Sequence, residues 1–287
     1  VYERTQAGIE GHSSGTVPGG GSFVIHDRGA QIAAWSPGSQ PVIWYSRENI
    51  YQPGPTVHSG IPVCFPWFAE GPSRTPYTPR HGFAHEVDWH LVRSEISDGE
   101  VTQEWSCTEA DVADRRFFTH PFLARTQYRF GPELELRLRV HNTGTDSFSY
   151  EGGLIPHLRV GQVARAGIDG LGGADLVDLQ TGREDTQVGT LHIPGGHQLD
   201  QMFESTQPVV ISDPVLHRRI ILRGTGHSHI AVWNPGAERA ATTPELTEEW
   251  PEMLCVGFFQ HGRGAVRLLP GQSTVLILRI AVEEIPG

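Results

Sequence analysis

No stretch of this 287-residue chain is apolar for long enough to cross a bilayer as a helix. Its first residues also lack the basic and apolar regions of a secretory leader, so the expectation is a protein of the cytoplasm that does not bind membranes. Cysteine is scarce. Cys64, Cys107 and Cys255 fall into neither a closely spaced metal motif nor a disulfide framework, and their apolar neighbours suit small buried thiols. Positive charge is short as well. A formal net charge of −11 argues against nucleic acid or an anionic membrane as a partner, although a local arginine cluster can still hold a phosphorylated small molecule. The chain has no serine-nucleophile elbow, no dinucleotide-binding loop and no phosphate-binding P-loop, which removes support for chemistries built on those devices. Among its 15 histidines, the pairs His227/His229 and His81/His85 do not form a zinc signature. The expected partner is therefore a small molecule, with no metal and no organic cofactor, and the expected assembly is a monomer or small homo-oligomer.

Hydrophobic residues at 38% and charged residues at 19% fit a globular chain able to bury a large core. The periodicity is that of strands. Leu134, Leu136, Leu138 and Val140 alternate with Glu135, Arg137 and Arg139, and Val275 and Ile277 repeat the alternation within Ser273 to Ala281. Further strands are expected over Ser22–His26, Val42–Tyr45, Val87–Val92, Val101–Ser106 and Thr126–Phe130, and over Arg219–Leu222, His229–Trp233 and Leu254–Phe259. Glycine and proline clusters such as Gly131-Pro132 and Pro270-Gly271 punctuate them as turns. A short helix is expected from Pro244 to Trp250. Strands do not alternate with long amphipathic helices, which excludes a parallel α/β fold. No linker or short repeat divides the chain, so one antiparallel all-β domain over residues 1–287 is expected, with the glycine-rich residues 8–21 mobile.

The densest chemical signal is Gly60-Ile61-Pro62-Val63-Cys64-Phe65-Pro66-Trp67-Phe68, followed by Pro79-Arg80-His81-Gly82-Phe83-Ala84. It sets an imidazole and several aromatics on a path too rich in glycine and proline for regular structure, which suits a preorganised binding surface. Downstream stand Trp89, Leu158-Arg159-Val160, Asp200 within HQLDQMF, AVWNPG at Ala231 to Gly236, and MLCV at Met253 to Val256. In order and spacing these blocks resemble the hexose-6-phosphate mutarotase branch of the aldose 1-epimerase family. The resemblance implies a galactose-mutarotase-like β-supersandwich and cofactor-free exchange of sugar anomers. One group takes the proton of the anomeric hydroxyl, another protonates the ring oxygen, and the ring opens and recloses.

Against that family pattern the chain departs in three places. Ile155 stands where the acid histidine is expected, with His157 two residues on; Gly257 replaces the glutamate after the CV pair; His85 replaces a phosphate-contacting arginine. The acid/base set is therefore expected to be rebuilt from His81, His157 and Glu151. Arg74, Arg80 and His85 are candidates for an anionic group of the substrate, and Asp200 and His261 for polar contacts. Trp67, Phe68 and Trp233 either lie against a ring or anchor the loop. Loss of a carboxylate at Gly257 is expected to enlarge the pocket. Two alternatives share this scaffold: a cyclase, lyase or isomerase of a specialised metabolite, and a sugar-binding protein without turnover.

Overall fold

The computed structural model describes residues 2–5, 11–17, 21–47, 58–71, 78–193, 195–246 and 248–285. Its framework is two large antiparallel sheets. A nine-stranded sheet runs in the order Leu191–His192, Gly167–Asp169, Val209–Asp213, Arg218–Thr225, Ser273–Glu284, Leu134–Asn142, Phe122–Phe130, Glu100–Thr108 and His90–Ser97. An eight-stranded sheet runs Glu184–Thr186, Asp175–Asp178, Leu199–Glu204, His229–Asn234, Met253–Gln260, Gly152–Leu154 and Val63–Cys64, with His157–Arg159 also paired to Met253–Gln260. One core cluster contains Leu136 and Leu138 of the first sheet together with Leu254, Val256 and Phe258 of the second. The all-β antiparallel expectation holds. Among the described residues no helix is long and apolar enough to cross a membrane.

Alternation explains the core, with one instructive exception. Glu135 lies on the outward face of Leu134–Asn142 and yet is buried. Arg137 and Arg279 donate to its carboxylate at 2.8 and 2.6 Å, and Arg129 at 3.4 Å. Three guanidiniums, Arg137 from the same strand and Arg129 and Arg279 from its two neighbours, cover it, which is how a charge on a sheet surface is buried at low cost.

Three expectations need correction. Val42–Tyr45 is not a strand: Ile43 makes a single bridge to Leu158, and Trp44 donates to the His157 carbonyl at 2.8 Å. The strand expected at Val87–Val92 begins at His90, because Val87 and Trp89 bond back to Gly29 and Asp27 instead. Residues 244–246 and 248–249 form turns; the α-helix is Gly236–Thr242, which ends where Thr243 must turn extended before Pro244. Within residues 8–21, the described His12–Val17 is a strand paired to Gly21–His26.

Candidate active site

Side-chain alternation along the eight-stranded sheet builds a cleft on the face away from the main core. In Met253–Gln260 all eight residues are buried. Leu254, Val256 and Phe258 face the other sheet, while Met253, Cys255 and Phe259 join a second apolar cluster with Ile155, Met202 and Ala231. Register then decides which residues share a row. Asp200 lies opposite Trp233, Trp233 opposite Cys255, and Cys255 opposite His157. With roughly 4.8 Å between strands, that row spans about 14 Å from Asp200 to His157. The adjoining row carries Met202, Ala231 and Gly257.

The irregular loop roofs this floor. Phe65 bridges to Gly82, whose φ is +81°, and a Cβ on Gly82 would fall 2.0 Å from the Phe65 carbonyl oxygen. Only glycine fits so close a crossing. Next to it His81 also has a left-handed backbone, with φ of +62°. Its amide donates to the Ala69 carbonyl at 2.7 Å, and the Ala69 amide donates to His81 Nδ1 at 3.1 Å. This reciprocal pair fixes the ring. Nδ1 accepts the shorter bond, from Ala69, which puts the neutral ring's proton on Nε2; Arg80 Nε, a donor only, lies 3.4 Å from that nitrogen and turns aside when Nε2 donates.

His157 has the opposite polarity. Its Nδ1 lies 3.1 Å from the Gly60 carbonyl, which can only accept, so the proton is on Nδ1 and the Nε2 lone pair is the available acceptor. Burial, with a contribution from His58, holds His157 down to about 3. Burial and then the Arg80 charge hold His81 well below the usual histidine range. Both rings are therefore neutral near pH 7. Asp200 shifts the other way. Burial raises its carboxyl above the ordinary value, although Arg80 and Arg239 pull against that.

The cleft brings together His81, His157, Asp200, Arg80, Phe68 and Trp233, with Ile155, Cys255 and Phe259 in its walls. It also contains two residues that carried no signal of their own in the sequence, His58 and Arg239. His58 stacks on Trp233 at 5.2 Å, and its Nδ1 is 2.6 Å from Glu245 Oε1. That bond holds the Glu245 carboxyl below its usual value. Arg239 stands three residues beyond the WNPG block, one helical turn into Gly236–Thr242.

Other candidates lie elsewhere. Glu151 is outside this cleft: its Oε1 is 2.7 Å from His261 Nδ1, and its Oε2 accepts from the Phe68 amide at 3.1 Å. Burial alone would raise the Glu151 carboxyl, but bonds from His261 and from the Gly262 and Phe68 amides hold it low, leaving a poor base. His261 is occupied with Glu151 and packs on Phe68 at 4.8 Å. Trp67 anchors the loop through its indole N–H to the Pro79 carbonyl at 2.8 Å. His85 is buried away from the cleft, with burial and then Arg28 lowering it to about 4. Arg74 lies outside the described residues.

The pocket at Gly257 is not enlarged. A Cβ there would lie 2.4 Å from Phe259 Cε2, and one on Gly153 would lie 2.3 Å from Phe259 Cδ1. The Phe259 ring fills the space over both glycines and packs on Phe68 at 4.8 Å. The three cysteines are buried and free, and burial raises the Cys64 and Cys255 thiols, so neither supplies a thiolate near neutral pH. Among the described residues no three His, Cys, Asp or Glu side chains are grouped to hold a metal ion.

Burial of neutral histidines makes stability depend on pH. His85 and His157 titrate near 4 and 3 when folded and near 6.5 when unfolded. Below pH 6.5 the unfolded chain therefore binds more protons, and stability falls as pH drops toward the folded values. The expected loss is about 1.4 kcal/mol per pH unit for each ring. Urea midpoints flat above pH 7 and falling between pH 6.5 and 4.5 are the expected result; a flat profile throughout would show that these rings protonate without unfolding.

The comparisons with known proteins follow the same lines. A family model described as aldose 1-epimerase matches residues 16–281. An Escherichia coli K12 protein named "Putative glucose-6-phosphate 1-epimerase" is 28% identical over 240 residues, covering 82% of this chain and 78% of that one. The crystal structure of a mutarotase, given that name as "putative", from Salmonella typhimurium superposes with a TM-score of 0.86 at 23% identity, covering 99% and 94% of the two chains. A galactose mutarotase-like protein from Clostridium acetobutylicum superposes with a TM-score of 0.75 at 13% identity, covering 99% of each chain.

Proposed function

The chain belongs to the aldose 1-epimerase family, and we propose that it exchanges the anomers of a hexose, preferring hexose 6-phosphates, in the cleft over Trp233 and Cys255. The observation that carries this reading is one cleft holding a hydrogen-bond donor, His81 Nε2, and an acceptor, His157 Nε2. Asp200 and two guanidiniums line the same cleft.

Relative basicity assigns the roles. Asp200 is raised above the ordinary carboxylate value, whereas His157 sits at about 3, so Asp200 is the stronger base. Asp200 takes the proton of the anomeric hydroxyl, and neutral His81 donates from Nε2 to the ring oxygen as the ring bond breaks, the imidazolate so formed accepting from Arg80 Nε, 3.4 Å away, until the proton returns. His157 Nε2 accepts from a sugar hydroxyl and sets the ring's register. The open-chain aldehyde turns about its C1–C2 bond and recloses on the other face, returning both protons. All 22 basic residues are arginine, so no lysine amine can trap that aldehyde as an imine.

Arg80 and Arg239 suit the phosphate, which they can bind through charge-assisted bonds. Removing one such contact costs about 1.5–3 kcal/mol, or roughly 10–100-fold. Arg239→Ala is thus expected to raise KM for glucose 6-phosphate by that factor, with kcat and the reaction of free glucose little changed. Two-dimensional exchange NMR on both sugars checks this. Exchange no faster than in buffer for any hexose or hexose 6-phosphate would end the proposal.

A further inference from the structure

We propose that two copies of this chain join edge to edge through the strand His90–Ser97, across a two-fold axis at Ser94. Among the described residues this strand ends the nine-stranded sheet, pairing only with Glu100–Thr108. All of its residues except Leu91 are exposed, including Val92 at 52% and Ile96 at 57%.

The turn determines which main-chain groups are available. Asp98 and Gly99 both have positive φ and connect Ser97 directly to its partner Glu100. In a two-residue hairpin of this kind the closing pair is hydrogen-bonded. Alternation then turns the N–H and C=O of Ser97, Glu95 and Arg93 toward Glu100–Thr108, and those of Ile96 and Ser94 outward. A register shift between Leu91 and Arg93 makes Val92, the first residue of the self-complementary segment, a bulge.

Read about Ser94, the segment is complementary to itself. In an antiparallel pair with Ser94 opposite the partner's Ser94, those two residues exchange main-chain bonds, and Val92 meets the partner's Ile96. Arg93 then faces the partner's Glu95, and Glu95 the partner's Arg93, in the non-hydrogen-bonded sites where side chains approach most closely. A two-fold axis normal to the sheet keeps its faces aligned. Ser94 and Ile96 pair with Gln103 and Val101, both buried, so these two side chains stand on the inner side. Arg93 and Glu95 pair with Glu104 and Thr102, on the outer face where Arg125 already lies 3.1 Å from Glu104. Among the described residues of one chain, Arg93 pairs with its near neighbour Glu95. A protected edge needs charge and a bulge; it does not need opposite charges placed symmetrically about one residue.

Sedimentation equilibrium of the full chain, from about 1 µM to about 1 mM, tests this independently of any catalytic reading. The expected result is a reversible dimer. Arg93→Glu leaves two acidic residues at these sites and Glu95→Arg two basic ones, so each variant alone is expected to dimerise at least about ten-fold more weakly. Mixed together, the two variants are expected to form a one-to-one heterodimer. Ser94→Pro, which removes an outward N–H, is expected to be monomeric with an unchanged circular dichroism spectrum. A parent chain monomeric throughout would overturn the proposal. So would a dimer indifferent to all three substitutions, or two variants that fail to pair on mixing.

Discussion

His81→Asn is expected to slow glucose 6-phosphate anomer exchange by about 10²–10⁴-fold, the usual contribution of a positioned proton donor. Asparagine is the informative replacement. It tolerates the left-handed backbone at φ +62°, where alanine would be strained, and its side-chain oxygen can still accept from the Ala69 amide. The loop clamp should survive while the Nε2 donor is lost. Exchange NMR beside a thermal melt separates the two effects: the rate falls and the melting temperature stays within a few degrees of the parent. A variant that keeps more than a third of the parent rate would remove His81 from the chemistry.

Gly257→Glu is the second large effect, and its sign runs against simple family repair. The resemblance places a glutamate at this position, so restoring it invites the expectation of restored activity. The structure predicts loss of stability instead. The new Cβ would sit 2.4 Å from a Phe259 ring already held by Phe68, and the carboxylate would enter a buried surface of Met253, Cys255 and Phe259. Overpacking and an unpaired buried charge together suggest a cost of about 3–5 kcal/mol. Adding Phe259→Ala clears the ring and is expected to recover part of that cost, a coupling that urea unfolding of the two single variants and the double variant would measure. A Gly257→Glu chain as stable as the parent would show that the ring moves aside freely.

Most of the β framework was legible because alternation and turn residues are local signals. Leu134–Asn142, Ser273–Glu284 and Met253–Gln260 stand where apolar periodicity places them. The elements that were misplaced share one cause. Val42–Tyr45 and Val87–Trp89 have strand-like side chains, but their main-chain bonds are scattered over several segments, Val42 and Trp44 bonding to Trp35, Arg159, His157 and Gly60 and Val87 and Trp89 to Gly29 and Asp27, so no ladder forms. At the site, the motifs located His81, Arg80, Phe68, Asp200 and Trp233, which do line one cleft. Glu151 looked like a substitute carboxylate from its place six residues before His157; its bonds to His261, Gly262 and Phe68 divert it. His58 and Arg239 lie next to strong motifs, yet nothing in their own neighbourhood marks them as lining the cleft.

By itself the sequence determined the strand pattern, the absence of lysine and of a nucleotide device, and the family to which the blocks belong, because each depends on residue type and short-range order. Only the tertiary structure decided which side chains meet: the row from Asp200 to His157 exists because four strands from distant parts of the chain align in register, and the space at Gly257 is closed because a ring two residues away leans over it. Side-chain direction in a sheet is set by pairing partners and packing neighbours, and those are long-range facts that no local window contains.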